Sequence, residues 1–292
     1  MKKRFILILA LCLLAALSGC GGQTAQTAPE EAGTPLVPLT PAEEITYEVV
    51  TAPYEQTVTA EDGTELMRVS FQLPRLRALA DGVPVETPET AAQQEAMERV
   101  ERFNGSFDQW RDSEGTAQNM ASARAHYEAD PEWFGDDFCY AEELTHTVYR
   151  TDALISVSGL YYNFTGGAHP NTWLLGWNFD LRTGEFFSPE VLAEGTDLQE
   201  AVTTELIRQA QTPDETGWVP ADGYWEEYED LLANWPSCAV TFDEAGMRVE
   251  FSAYELAPYA AGEQSFHVQY ELLREHLDRD GLILLGLEEA EL

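Results

Sequence analysis

The sequence predicts an α+β fold, a largely antiparallel sheet with packed helices. Between Glu89 and Tyr127, apolar residues recur at three- and four-residue spacing, which is typical of helix. From Phe138 onward the pattern changes to short apolar and aromatic runs separated by turn residues, which is typical of strands. Because the predicted strands and helices come in blocks and do not strictly alternate, the sheet is expected to be largely antiparallel.

The N-terminus resembles a bacterial lipoprotein signal. Basic residues at positions 2–4 precede an apolar run, Phe5 to Leu17, which is too short to span a bilayer comfortably. The run ends in Leu17-Ser18-Gly19-Cys20, and in lipoproteins a peptidase cuts before such a cysteine once its thiol carries lipid. We therefore predict a signal peptide at residues 1–19, lipidation of Cys20 and an extracytoplasmic chain held at the cell membrane. The alternatives are a secretory signal with a chance cysteine, and an uncleaved anchor.

Residues 20–44 are predicted to be a disordered tether, since they are rich in Gly, Gln, Thr, Ala, Pro and Glu. With Cys12 in the signal and Cys20 lipidated, Cys139 and Cys238 remain. In an oxidising compartment they could form one disulfide that closes a long loop. Two buried free thiols are the equally open alternative.

Charge narrows the choice of partner. The chain has 16 Lys and Arg against 52 Asp and Glu. This balance argues against nucleic acid and against anionic surfaces, and it favours a cation or a basic partner. An acidic surface that is merely solvated is the simpler alternative.

Ordered structure is predicted to begin at residue 45. Strands are expected at 45–50, 66–73, 140–150, 154–164, 173–181, 238–242, 247–254 and 266–270. Helices are expected at 198–209, 224–235 and 271–277, and between 89 and 127 as one or two helices with breaks at Asn104-Gly105 and Gly115. Residues 45–190 would form an N-terminal α+β part and residues 191–292 a C-terminal α+β part, packed together as one unit.

The segment Gly159 to Gly184 holds the main candidate site. Two aromatic strand patterns flank Gly166-Gly167 and Pro170, and His169 lies in this loop. Its imidazole could act in acid–base chemistry, or it could fix the glycine turn by hydrogen-bonding the backbone. The candidate binding residues are Tyr161, Tyr162, His169, Asn171, Trp173 and Asp180, with Trp225 as a further exposed anchor.

Motifs of known enzyme classes are mostly missing from the sequence. It contains no G-x-S-x-G elbow, P-loop, H-E-x-x-H or dinucleotide-binding glycine pattern. The five histidines show no metal-binding pair spacing. We therefore predict no catalytic residues, no metal and no cofactor.

Two signatures in the sequence carry a resemblance to a known family. Tyr162–Asn171 and Trp177–Leu181 resemble the core signature of the extracytoplasmic domain of RsiV-type anti-sigma factors. The same domain type precedes the catalytic part of PdaC-type peptidoglycan deacetylases and is classified as paired domains of unknown function 4163 and 3298. Phe251–Gly262 resembles the second signature, with Ala253 in place of the usual proline.

The resemblance implies a scaffold for binding. RsiV-type proteins bind lysozyme, so the family implies a non-catalytic domain for lysozyme, another cell-wall-active protein or a wall fragment. Their sigma-binding segment and transmembrane helix, and the deacetylase domain of PdaC-type proteins, have no recognised counterpart here, so neither activity is expected. The alternative hypothesis is a cell-wall-directed hydrolase that uses His169 with Asp180 or another carboxylate.

Overall fold

The computed structural model describes residues 43–135, 138–195 and 197–288. The predicted signal peptide, the lipidation site Cys20 and all but the last two residues of the predicted tether lie outside these ranges. Among the described residues, no helix combines the length and the apolar character that crossing a bilayer requires.

The larger of two sheets runs through the first two thirds of the chain. Its strands lie side by side in the order β1-β2-β4-β5-β6-β7, with β3 attached to the far end of β2. Every described pair is antiparallel except β2 with β4. The predicted α+β class with a largely antiparallel sheet is therefore confirmed. The strands are β1 Ile45–Thr59, β2 Glu65–Ala80, β3 Val83–Pro84, β4 Tyr140–Arg150, β5 Leu154–Phe164, β6 Asn171–Asp180 and β7 Glu185–Phe187.

The parallel pair follows from a helical crossover between β3 and β4. This crossover consists of α1 Ala91–Arg111 and α2 Glu114–Ala129. Thr90 caps the first helix, because its Oγ1 accepts a hydrogen bond from the backbone N–H of Gln93 at 3.2 Å. The chain breaks between the helices at Asp112-Ser113, and not at Asn104-Gly105 or Gly115 as the glycines suggested.

One stripe of α1 covers the sheet. Ala96, Val100, Phe103 and Phe107 are buried, as their spacing predicts, whereas Ala92 at the start of the same stripe is exposed. The buried residues pack with side chains of the central strands, among them Leu76, Ile155, Val157 and Phe179.

Asn104 explains why α1 continues through its predicted break. Its Oδ1 accepts the backbone N–H of Leu76 at 2.8 Å, and its Nδ2 donates to the carbonyl of the same residue at 3.1 Å. Leu76 lies on β2 between the end of the β4 pairing at Phe71 and the start of the β3 pairing at Leu79. The Asn104 side chain thus takes the place of a neighbouring strand at this position.

The second sheet is smaller and is built from the C-terminal third of the chain. It has the antiparallel order β10-β9-β8, from β8 Ala239–Phe242, β9 Gly246–Phe251 and β10 Gln264–Gln269. A stripe of Leu198, Val202 and Leu206 on one helix packs into its core. The helices of this region are α3 Asp197–Ala210, α4 Tyr228–Ala233, α5 Tyr270–Leu273 and α6 Arg279–Leu284.

The predicted helix over 224–235 is shorter than expected. Its α-helical part begins only at Tyr228, and 3₁₀ turns lie at 220–223 and 235–237. The reason is tertiary, because the backbone N–H of Trp225 donates to the carbonyl of Leu256 at 3.0 Å and not to a carbonyl within a helix.

Side chains of β5 and β6 dock the small sheet onto the large one. Asn178 donates to the carbonyl of Val240 at 2.8 Å, and Ser156 Oγ accepts from the backbone N–H of Phe242 at 2.8 Å. The approach is close, since a Cβ on Gly176 would lie 2.6 Å from the Val240 carbonyl oxygen. Only glycine fits this crossing point.

Cys139 and Cys238 are free thiols, which corrects the disulfide hypothesis. The Sγ of Cys139 lies 3.8 Å from Glu65, beside the start of β2. The Sγ of Cys238 lies 3.9 Å from the carbonyl of Asn234, and burial together with Glu255 raises the pKa of this thiol to about 12. The two sulfurs have different neighbours, and each is half-buried in its own part of the fold.

Candidate functional site

A tight loop joins β5 to β6 and carries His169. The strands pair up to Asn163 with Asn171, which leaves residues 164–170 to reverse the chain. Gly166 and Gly167 have φ angles of +95° and +99°, and side-chain-bearing residues rarely adopt these values. The Gly-Gly sequence therefore sets the turn and places the imidazole beyond the ends of both strands.

A second loop, residues 252–263, follows β9. Leu256 and Ala257 are buried and hold it to the core. The backbone N–H of Ser252 donates to Glu255 at 2.6 Å, which closes the turn. Tyr254 lies between Ser252 and Glu255 and has a φ angle of +73°. The residue is 51% exposed, so burial does not force this backbone conformation. A bulky residue in the left-handed region is strained, and such strain is concentrated at functional sites.

The two loops meet through His169. Its imidazole stacks on the ring of Tyr259, with centroids 3.7 Å apart and planes 15° apart. Its Nδ1 lies 2.9 Å from the carbonyl of Pro170 and therefore donates to it, which leaves Nε2 to accept the Tyr254 hydroxyl at 3.3 Å. The ring of Tyr254 also lies 5.5 Å from that of Tyr259.

Two further aromatic residues support this cluster. The indole Nε1 of Trp225 donates to the carbonyl of Tyr254 at 3.2 Å. The pKa of Tyr162 is raised by burial and by the nearby Glu143 and Tyr259. We call His169, Tyr254 and Tyr259, with Tyr162 and Trp225 beside them, the two-loop surface.

A shallow cavity of about 420 Å³ opens beside the two-loop surface. Tyr259 forms one wall, and Thr172 and Glu263 lie in another, where the threonine hydroxyl donates to the carboxylate. The cavity thus offers an aromatic face and a carboxylate close together, which suits a cationic side chain of a partner.

Other predicted binding residues lie on the opposite face of the same strands. Successive residues of a strand alternate between faces, so Tyr161 points away from Tyr162. Tyr161 packs under α1 against Trp110 and Phe71, and burial is the main cause of its raised pKa. Trp173 stacks on Tyr161 at 5.5 Å and is 39% exposed.

Asn171 and Asp180 mark the two ends of β6. Asn171 is exposed beside the His169 loop, whereas Asp180 lies nine residues further along the strand, about 30 Å away at strand spacing. Asp180 is buried, and its carboxylate accepts two hydrogen bonds from the guanidinium of Arg182, at 2.7 and 3.0 Å. The suggested pairing of His169 with Asp180 is therefore wrong, and Asp180 holds the turn after β6.

Sequence reasoning missed Tyr254 and Tyr259 as site residues. Both stand inside the second signature, so the signal was present. What the sequence does not reveal is that the two signatures meet in space. The left-handed backbone of Tyr254 gave no sequence signal, because turn rules predict glycine or asparagine there.

The arrangement suits binding better than acid–base catalysis. Among the described residues, the imidazole of His169 is hydrogen-bonded by a carbonyl and a phenol, and no carboxylate bonds to it. A histidine base is normally oriented by a carboxylate or similar acceptor and faces a nucleophile. Across the described ranges, no three Asp, Glu, His or Cys side chains are grouped so that they could hold a metal ion.

Comparison with known proteins bears on the C-terminal part. Residues 185–271 match the family model described as "Protein of unknown function (DUF3298)". These residues run from β7 to the start of α5 and include the loop of Tyr254 and Tyr259, but not the loop of His169. No curated protein matches the chain by sequence.

Two solved structures match this chain over most of its length. A member of the DUF3298 family from Bacteroides fragilis NCTC 9343 is 15% identical, with a TM-score of 0.56 over 84% of this chain and 98% of that one. A DUF3298 family protein from Pseudomonas aeruginosa PAO1 is 17% identical, with a TM-score of 0.47 over 81% and 96% of the two chains. The Bacteroides protein therefore shares the fold, and the family likeness by sequence is confined to residues 185–271 of this chain.

Proposed function

We propose that this protein is a lipid-anchored, extracytoplasmic, non-catalytic binding domain for a basic cell-wall-active protein such as lysozyme. The stack of His169 on Tyr259, with the strained and exposed Tyr254 beside it, is the observation that carries the proposal. Rigid aromatic side chains at the centre of a surface are the usual anchors of a protein interface.

The charge of the chain supports a basic partner. Its formal net charge is −36, and Glu143 and Glu263 lie next to aromatic residues of the two-loop surface. Opposite charge raises the rate of encounter and excludes acidic competitors, while the aromatic anchors supply most of the affinity.

The resemblance to RsiV-type proteins supports the choice of lysozyme. One of its two signatures contains His169 and the other contains Tyr254 and Tyr259, the residues that meet at the two-loop surface. The lipid anchor predicted at Cys20 would place this surface outside the membrane, where lysozyme acts on the wall.

Calorimetric titration with lysozyme at low and moderate salt tests the proposal. We expect saturable binding that weakens as salt rises, because screening reduces the attraction between the acidic chain and the basic protein. Lysozyme with acetylated lysines is the matched control, since it keeps the fold and loses much of the charge. Binding at neither salt would exclude lysozyme as the partner.

A further inference from the structure

A polar groove lies where the small sheet crosses the large one, away from the two-loop surface. It encloses about 320 Å³ between β4 and β5 on one side and β8 and β9 on the other. None of its lining residues belongs to the two-loop surface. Its polar lining includes Thr147, Tyr149, Ser158, Thr241, Asp243 and Arg248.

The composition of this sheet–sheet contact is unusual. Facing sheets generally bury apolar side chains. Here Ser156, Thr241 and Glu250 are 1%, 2% and 5% exposed, at the point where the polar faces of β5, β8 and β9 approach one another. Buried polar groups cost stability unless each one is hydrogen-bonded.

One of these groups is unsatisfied. Thr241 lines the groove, and its buried Oγ1 has no hydrogen-bond partner among the described residues. Ser156, by contrast, donates to Asn178 and accepts from the backbone N–H of Phe242. A valine would fill the place of Thr241 without this cost, so the hydroxyl requires an explanation other than packing.

The buried carboxylate of Glu250 holds the guanidinium of Arg248 in place in the groove. Glu250 accepts a hydrogen bond from Arg248 Nη2 at 3.0 Å, and the hydroxyl of Ser158 approaches it at 3.4 Å. The same Nη2 also lies 3.2 Å from Ser265 Oγ. Nε and Nη1 of Arg248 hydrogen-bond to nothing in the described ranges, and the side chain is 42% exposed. Both nitrogens can therefore donate hydrogen bonds to a ligand.

We propose that this groove binds a single sugar unit of a glycan. Threonine and serine hydroxyls, a fixed guanidinium and the Asp243 carboxylate supply donors and acceptors for neighbouring sugar hydroxyls, and Tyr149 supplies an aromatic wall. The volume, near the lower end for ligand pockets, suits one sugar ring. The unpaired hydroxyl of Thr241 gains a partner when the ring is bound.

Calorimetric titration of the full chain with glucose, N-acetylglucosamine and its β-1,4-linked disaccharide tests this site. Cyclohexanol, which has the ring without the array of hydroxyls, is the control ligand. We expect at least one sugar to bind and cyclohexanol not to bind, because a site built for hydroxyls rejects ligands that lack them. If no sugar binds, or if cyclohexanol binds as well as the sugars, the proposal is overturned.

Thr241→Val locates the binding. The variant is expected to keep or raise the melting temperature, because it removes an unpaired buried hydroxyl, and to weaken sugar binding about tenfold, the equivalent of one lost hydrogen bond. Arg248→Gln is expected to weaken it at least as much. Thr204→Val, on the exposed face of α3, is the matched control and should bind as the native chain does. Native-like affinity in both groove variants would overturn the proposal whether or not lysozyme binds the two-loop surface.

Discussion

The imidazole of His169 lies flat on the ring of Tyr259, 3.7 Å away, and thereby joins two loops that are far apart in the sequence. One loop closes the β5–β6 hairpin of the large sheet, and the other follows β9 of the small sheet. The second loop lies within residues 185–271, which match the DUF3298 family model, and the first loop lies before them. The contact therefore makes His169 both a structural link between the sheets and part of the exposed two-loop surface.

Replacing His169 with alanine should lower stability. The variant loses the stack on Tyr259 and the hydrogen bonds to Pro170 and Tyr254, which together are worth about 2 kcal/mol. For a domain of this size we expect a melting temperature lower by roughly 4 to 8 °C, measured by circular dichroism. His169→Phe keeps a ring in the stack and should lose less. An unchanged melting temperature in His169→Ala would show that the contact does not stabilise the fold.

Gly176→Ala should weaken the docking of the small sheet. The new Cβ would lie 2.6 Å from the carbonyl oxygen of Val240, so the two sheets must move apart. We expect a loss of at least about 2 kcal/mol, measured by urea unfolding. Gly105→Ala is the matched control: it lies inside α1 with open space around it, and it should stabilise by about 0.5 to 1 kcal/mol. Equal effects of the two substitutions would contradict the close packing at Gly176.

Asn104 should tolerate few replacements. Asn104→Leu leaves both backbone groups of Leu76 unpaired, and we expect a loss of about 2 to 4 kcal/mol in urea unfolding. Asn104→Asp keeps the acceptor for the Leu76 N–H and loses the donor, so its stability should fall between those of the native chain and the leucine variant. If leucine proves as stable as asparagine, the side chain does not replace a strand at this point.

His146 should make stability depend on pH. Its Nδ1 donates to the carbonyl of Gln72 at 2.7 Å, just after the main-chain pairing of β2 with β4 ends. Burial lowers its pKa below the ordinary value of 6.5, so the unfolded chain takes up a proton before the folded one does. The free energy of unfolding should have its full value above pH 6.5, and it should fall as the pH decreases from there toward the folded-state pKa of His146.

Thermal unfolding of native protein and His146→Asn between pH 7.5 and pH 5 measures this contribution. The asparagine amide keeps a donor for Gln72 and cannot titrate, so the variant should lose less stability over this range. Parallel curves for the two proteins would show that His146 does not titrate differently in the folded and unfolded states.

Local sequence patterns predicted most strands and the buried stripe of α1, because both depend on the spacing of apolar residues. They underestimated the first two strands, which extend to Thr59 and Ala80. They also placed the break in the helical region at Asn104-Gly105, where a polar residue and a glycine favour a turn. The helix continues because Asn104 binds the backbone of a strand distant in sequence, and no local rule contains that partner.

The site was predicted only in part, because local patterns do not contain partners that are distant in sequence. His169 and Tyr162 stood out in the aromatic hairpin and lie at the two-loop surface. Asp180 was grouped with them because it is near in sequence, although the strand carries it to the opposite end of the sheet. Tyr259 joins the site only through the packing of one sheet on the other.

Lysozyme titration of surface variants tests the central claim most directly. Tyr254→Ala and Tyr259→Ala remove the two loop anchors, and each should weaken binding about tenfold or more while the melting temperature confirms folding. Val83→Ala is the control, because Val83 is 65% exposed at the opposite end of the large sheet. We predict native affinity for the Val83 variant and a large loss for both tyrosine variants. Lysozyme binding that both tyrosine variants retain in full would contradict the assignment of the two-loop surface.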